Sequence, residues 1–153
     1  MQLRDLHSKP GHFIRRAQQI AVAIFVDECA PYGLTPLQYA ALAVIREHPE
    51  IDATRLSALV AFDRTTLGNV LERLEARKLV MRHPSPDDKR VKLLKLTAAG
   101  SSLVKRAEAA VLRAQERILA PLRPNDRNRL MERLGQLVEL NNEVSRVPQR
   151  LVG

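Results

Sequence analysis

Residues 52–97, DATRLSALVAFDRTTLGNVLERLEARKLVMRHPSPDDKRVKLLKLT, constrain the fold of this chain more than any other stretch. Asp52 is placed as an N-cap, a residue whose side-chain oxygen accepts from a free backbone N–H at the start of a helix. Leu56, Leu59 and Val60 follow at helical spacing, and Ala61–Phe62 is a tight turn. Asp63 then caps a second helix with an inner stripe of Leu67, Val70, Leu71 and Leu74. Its other face carries Arg64, Thr65, Thr66, Gly68, Asn69 and Arg73, which are short, polar or cationic, as the major groove of DNA requires. Leu79, Val80 and Met81 start a strand, and Val91, Leu93, Leu94 and Leu96 return it. The loop His83–Arg90 between them holds two prolines, two aspartates, one lysine and one arginine. Two short helices followed by a hairpin with a charged tip predict a winged helix–turn–helix.

Three segments resemble the MarR family of transcription regulators. They are the run Leu56 to Val80, the segment DKRVKLLKLT from Asp88 to Thr97, and LTPLQYAAL from Leu34 to Leu42. The resemblance implies a mainly α (α+β) fold, with long N- and C-terminal helices that form a homodimer. It also implies a small, often aromatic, anionic effector bound between the dimer helices and the winged unit, and the two-fold symmetry of such a dimer predicts an inverted-repeat operator in double-stranded DNA. Lys78 departs from the pattern, since the family usually has glycine where the recognition helix ends. A left-handed C-cap is costly for lysine, so a different helix end is expected there.

The rest of the chain fits this plan. Its 153 residues suit one domain, and with 45% hydrophobic but only 3% aromatic residues and no Trp, helices of Leu, Ala, Val and Ile are expected. Residues 10–30 carry a stripe of Phe13, Ile14, Ala17, Ile20, Ala21, Ile24 and Phe25, ended by Pro31 and Gly33. Thr35 caps a further helix with Pro36 at its first position. After the hairpin, Thr97 caps a long helix with the stripe Leu103, Val104, Ala107, Val111, Ala114 and Ile118. Pro121 and Pro124 break it, and the last helix bears Leu130, Met131, Leu134, Leu137, Val138 and Val144. The expected organisation is therefore 1–33 and 98–153 as dimerisation helices around a DNA-binding unit, 34–97. A second copy would bury the end stripes and set two recognition helices about one two-fold axis.

The net charge of +8 favours a polyanionic partner, and the helix–turn–helix points it to DNA. On the second helix Arg64, Thr65, Thr66, Asn69 and Arg73 are the candidate DNA contacts, because arginine pairs with guanine and asparagine with adenine through two hydrogen bonds. In the hairpin the resemblance assigns Arg90 to the minor groove or its phosphates, with Asp88 orienting it and Lys89 beside it. Arg82 and Lys92 are weaker phosphate candidates.

The opening GHFIRRAQQI resembles the branch of the family that senses aromatic acids or their CoA thioesters. Arg15 or Arg16 is the candidate carboxylate partner, with His12 one turn earlier and Phe25 and Tyr39 as ring contacts. The alternative is that both arginines pair with acids at the dimer interface.

Cys29 is alone, so it forms no internal disulfide and reads as a small buried hydrophobe rather than a redox switch. His7, His12, His48 and His83 lack metal-ligand spacing, and neither a Ser–His–Asp set nor a phosphate loop stands out. No metal, no cofactor and no catalysis are expected. No apolar stretch is long enough to cross a membrane and no signal-peptide core opens the chain, so the cytoplasm is the expected location. The expected function is a ligand-responsive repressor of an aromatic-compound catabolic operon. The rival is an architectural DNA-binding protein that needs no ligand.

Overall fold

A computed structural model describes residues 2–151. A short helix α1 (Leu3–His7) leads into α2 (Pro10–Glu28), which starts with proline at its first position and gives way to a 3-10 turn at Ala30–Tyr32. Gly33 leaves that turn at φ 59°, a left-handed conformation. Arg77 donates to the carbonyls of Gly33 and Tyr32 at 2.7 and 3.0 Å, tying this corner to the end of the second motif helix. Helix α3 (Pro36–Glu47) opens with a capping box in which the Thr35 hydroxyl accepts from the Gln38 amide and the Gln38 side chain accepts from the Thr35 amide.

The two helices of the expected motif follow as α4 (Ala53–Val60) and α5 (Arg64–Ala76). Asp52 accepts from the Arg55 amide at 2.8 Å, and Asp63 from the Thr66 amide at 2.7 Å, so both expected caps form. The hairpin is β2 (Val80–Pro84) and β3 (Lys92–Leu96), with Val80 opposite Leu96 and Pro84 opposite Lys92. The strands run further than their apolar residues suggest. His83 and Pro84 pair within the ladder, and Val91 falls in the tip rather than the strand. Proline is tolerated because β2 is an edge strand, which needs no donor on its outer side. The other edge is a two-residue strand, β1 (Ile51–Asp52), too short to leave a periodic signal.

Helix α6 (Ala98–Leu119) is capped by Thr97, as expected, and α7 (Pro124–Leu140) starts at the second breaking proline. Val144 lies beyond α7, in a 3-10 turn at Asn142–Val144 rather than in the helix. The Asn142 side chain is engaged there with the backbone of Gln149, an alternative to continuing the helix.

One core joins α2 to α6 and the sheet. Phe25 and Cys29 of α2, Leu42 and Ile45 of α3, Leu56, Leu71, Leu74, Leu94 and Val104 are all buried in it. Glu28 clasps α6 from α2, accepting from Arg113 at 3.2 Å and Arg117 at 2.8 Å, while Arg117 also reaches Asp27. These hydrogen bonds, Arg117's first, hold the Glu28 carboxyl below its ordinary pKa. Gly100 lets α6 close on the hairpin, because a Cβ there would stand 2.0 Å from the Leu79 carbonyl oxygen.

The chain ends are different. Of the α2 stripe, Ile24 and Phe25 face the core, but Phe13, Ile14 and Ile20 are exposed. So are Leu130, Met131, Leu134, Leu137 and Val138 on α7. An open apolar groove of about 580 Å³ runs between α2, α6 and α7, lined by Phe13, Ile14, Ile118, Leu130 and Leu134 among others.

Candidate nucleic-acid interface and effector cleft

The recognition surface is built on α5. At 100° per residue its core side is Leu67, Val70, Leu71 and Leu74, all buried. Thr65 and Asn69 fall opposite them and are exposed. Glu72 stands on the same outer face; it is neither a cation nor an amide, but a carboxylate can accept from cytosine. Arg64 and Gly68 lie on one flank, beside Ala53, Thr54 and Ser57 of α4 and Arg82 of β2, around a hollow of about 290 Å³. Thr66 and Arg73 lie on the other flank, towards α2 and α3. The Asp63 carboxyl is held below its ordinary pKa, first by hydrogen bonds from the backbone and hydroxyl of Thr66 and then by the charge of Arg146 and the Thr65 amide. The cap is therefore an anion throughout the neutral range.

At the hairpin tip Asp88 accepts from Arg90 three times: from the backbone amide at 3.0 Å, Nε at 3.1 Å and Nη2 at 3.2 Å. These bonds lower the Asp88 pKa and leave the Arg90 side chain 92% exposed, so the guanidinium is oriented yet open to solvent. Lys89 is exposed beside it. Arg82 does something other than wait for a phosphate: its Nε donates to Glu75, which ties the hairpin to α5. His83 pairs with Glu50 on the far side of the sheet. The hairpin is thus braced against the helix whose position sets the reading head.

The five candidate effector residues do not form one cluster within the chain. Arg15 Nη2 donates to His12 Nδ1 at 3.3 Å, so these two share a face as expected. Desolvation, then the charges of His7, Arg15 and Arg16, lower the His12 pKa, which suits a neutral ring accepting from Arg15. Arg16 points elsewhere and donates to Gln19 at 2.7 Å. Among the described residues neither arginine pairs with a carboxylate. Phe25 and Tyr39 meet each other instead, with ring centroids 6.2 Å apart at the core. Ten residues of helix separate Phe25 from Arg15, about 15 Å, and sequence proximity on one helix hid that distance. Burial first, then Glu108, raises the Tyr39 pKa, so the phenol stays neutral. Burial raises the Cys29 thiol as well, as for a packing residue rather than a reactive thiolate.

A different cleft, of about 420 Å³, lies where α2 and the start of α3 meet α5. Gln18, Val22, Leu37 and Gln38 form one side, and Thr66, Asn69, Val70 and Arg73 form the other. Arg15 and Val22 are seven residues apart on α2 and so share a face. Sequence reasoning missed Gln18, Val22 and Gln38 because they join the site only through the crossing of three elements.

A helix–turn–helix with a capped, polar outer face, braced to a hairpin that carries an oriented arginine at its tip, defines a winged-helix DNA-binding protein. A model of the MarR family matches residues 32–91. The chain belongs to the MarR family of transcription regulators. It is 28% identical over 135 residues to the HTH-type transcriptional repressor NicR of Pseudomonas putida, covering 88% of this chain and 85% of that one. Among solved structures it is similar to BpsR of Bordetella bronchiseptica, whose DNA binding is regulated by 6-hydroxynicotinic acid. There the identity is 30%, the coverage 86% of this chain and 94% of BpsR, and the TM-score 0.79. It is also similar to the transcriptional repressor CouR bound to a 23-mer DNA duplex, at 28% identity, 90% and 98% coverage and a TM-score of 0.80. Among the described residues no helix is long and apolar enough to cross a membrane.

Proposed function

We propose that this protein is a homodimeric repressor of an aromatic-compound catabolic operon, released from its operator by an aromatic carboxylate or the corresponding CoA thioester. One observation carries this reading: the cleft between α2 and α5 shares Thr66, Asn69 and Arg73 with the recognition helix itself. A ligand seated there touches the DNA-reading element and the dimerisation helix at once. It then has a different affinity for two relative placements of these helices, which is the requirement for a shift in population.

The chemistry suits a ring with an acid group. Val22, Leu37 and Val70 offer apolar walls, and Gln18, Gln38, Thr66 and Asn69 offer hydrogen bonds. Arg73 in the wall and Arg15 one turn before Gln18 supply cations for a carboxylate. The proposed effector set is accordingly His12, Arg15, Gln18, Val22 and Arg73, without Phe25 and Tyr39. The proposed DNA set is Arg64, Thr65, Asn69 and Glu72 at base edges, with Arg90 and Lys89 on the backbone. The likeness to BpsR, which responds to a heteroaromatic acid, and to CouR, seen on DNA, supports both halves.

The test is calorimetry and operator release with benzoate, cinnamate and 6-hydroxynicotinate. Arg15→Ala is expected to abolish the response while leaving operator binding nearly intact, and Arg16→Ala is expected to respond like wild type. If both variants release DNA at wild-type effector concentrations, the effector binds elsewhere. If wild type binds all sequences equally and ignores every acid, the protein is architectural.

A further inference from the structure

We propose that the C-terminal segment, residues 142–150, is a third DNA-contacting element, latched to α4 so that Arg146 meets a backbone phosphate beside the start of the recognition helix. The inference rests on the DNA-binding reading above.

The latch is explicit. The Arg150 amide donates to the Ala58 carbonyl and Gln149 Nε2 to the Leu59 carbonyl, each at 2.9 Å. Both acceptors belong to the last turn of α4, whose carbonyls have no partner within the helix. The segment is also closed on itself. The Asn142 side chain accepts from the Gln149 amide at 2.9 Å and donates to its carbonyl at 3.1 Å, while Glu143 pairs with Arg150. Residues 142–150 therefore form a shaped loop seated on the helix–turn–helix rather than a trailing end.

Its position bears on DNA. The turn Ala61–Phe62 starts directly after the latched turn and leads to Asp63, the cap of α5. Arg146 lies three residues before the latched Gln149, so the loop carries it beside the turn that leads into α5, and its charge also contributes to lowering the Asp63 pKa. Arg146 is exposed and, among the described residues, makes no hydrogen bond or ion pair. Arg150 in the same loop is neutralised by Glu143, so Arg146 is the loop's free cation. In a helix–turn–helix the N-terminal residues of the recognition helix enter the groove, and the phosphates flanking that groove pass this corner. An unpaired arginine held there by backbone hydrogen bonds is pre-positioned for a phosphate, and such contacts add affinity without reading sequence.

The experiment measures binding of a fluorescent random-sequence duplex over a range of salt. Wild type is expected to bind with a steep salt slope. Arg146→Gln should lower the slope by about one and weaken binding about three- to tenfold near 0.1 M salt, equally on every sequence. Arg146→Lys should restore most of the slope, and Gln149→Ala, which breaks the latch but keeps the charge, should fall between. An unchanged melting temperature for Arg146→Gln shows that the fold is intact. If Arg146→Gln keeps the wild-type slope while wild type binds DNA, the arm is a helix cap only and the proposal fails. If wild type shows no salt-dependent binding, the DNA reading fails first and takes this inference with it.

Discussion

Lys78 is the residue at which the chain departs from its family and the backbone does not. It adopts φ 56°, and the helix closes with two hydrogen bonds typical of a glycine end, from Leu79 to Leu74 at 2.9 Å and from Lys78 to Glu75 at 2.8 Å. The altered helix end expected from lysine does not occur, because the hairpin must start in place: the Lys78 carbonyl accepts from the Thr97 hydroxyl and the Leu79 carbonyl from the Thr97 amide. Left-handed backbone costs a residue with a Cβ about 1–2 kcal/mol. Lys78→Gly should therefore stabilise the protein by about 1 kcal/mol in urea unfolding, and a loss of stability would contradict the strain. Gly100 is the opposite case. With the Leu79 oxygen 2.0 Å from its would-be Cβ, Gly100→Ala must push α6 off the hairpin. A loss of about 1–3 kcal/mol is expected, and thermal unfolding unchanged from wild type would show that this contact yields freely.

At the scale of elements, α5 and the hairpin are coupled but do different work. The helix presents Thr65, Asn69 and Glu72, the residues proposed to meet base edges, whereas the tip presents an exposed Arg90 aimed by Asp88. Asn69→Ala should relax preference at one operator position by about 1–3 kcal/mol. Arg90→Ala should weaken binding to many sequences alike and flatten the salt dependence. Selection from a random duplex library, followed by titration of each variant, separates the two. The same loss of preference from both variants would mean that the hairpin reads bases as well. The caps of α3 to α6 were legible because an Asp or Thr before an apolar stripe satisfies the free amides at a helix start. The length of the hairpin was not, because pairing with the neighbouring strand carried His83 and Pro84 into the ladder despite proline's lack of an N–H.

For the whole molecule, the exposed stripes of α2 and α7 are the dominant fact. A groove of about 580 Å³ lined by Phe13, Ile14, Leu130, Met131 and Leu134 is the apolar surface on which we place the contact with a second copy. Light scattering at micromolar concentration should give twice the chain mass. Leu134→Lys should give a monomer and lose high-affinity operator binding, since two half-sites can no longer be held at once. A variant that stays dimeric at wild-type strength would place the interface elsewhere.

The amino-acid sequence determined on its own whatever depends on neighbours three or four residues away. That covers α2 to α7, the caps of α3 to α6, the inner stripe of α5, the polar face opposite it, and the pairing of Asp88 with Arg90 two residues on. It also determined the family, since that rests on short runs of residues at fixed spacing. Only the tertiary structure decided what depends on elements crossing. It separated Phe25 and Tyr39 from Arg15, brought Gln18 and Val22 against Thr66 and Arg73, and committed Arg82 to Glu75. It also seated residues 142–150 on α4. Periodicity specifies which face of a helix is turned inward, but the partner across that face is set by packing between segments far apart in the chain.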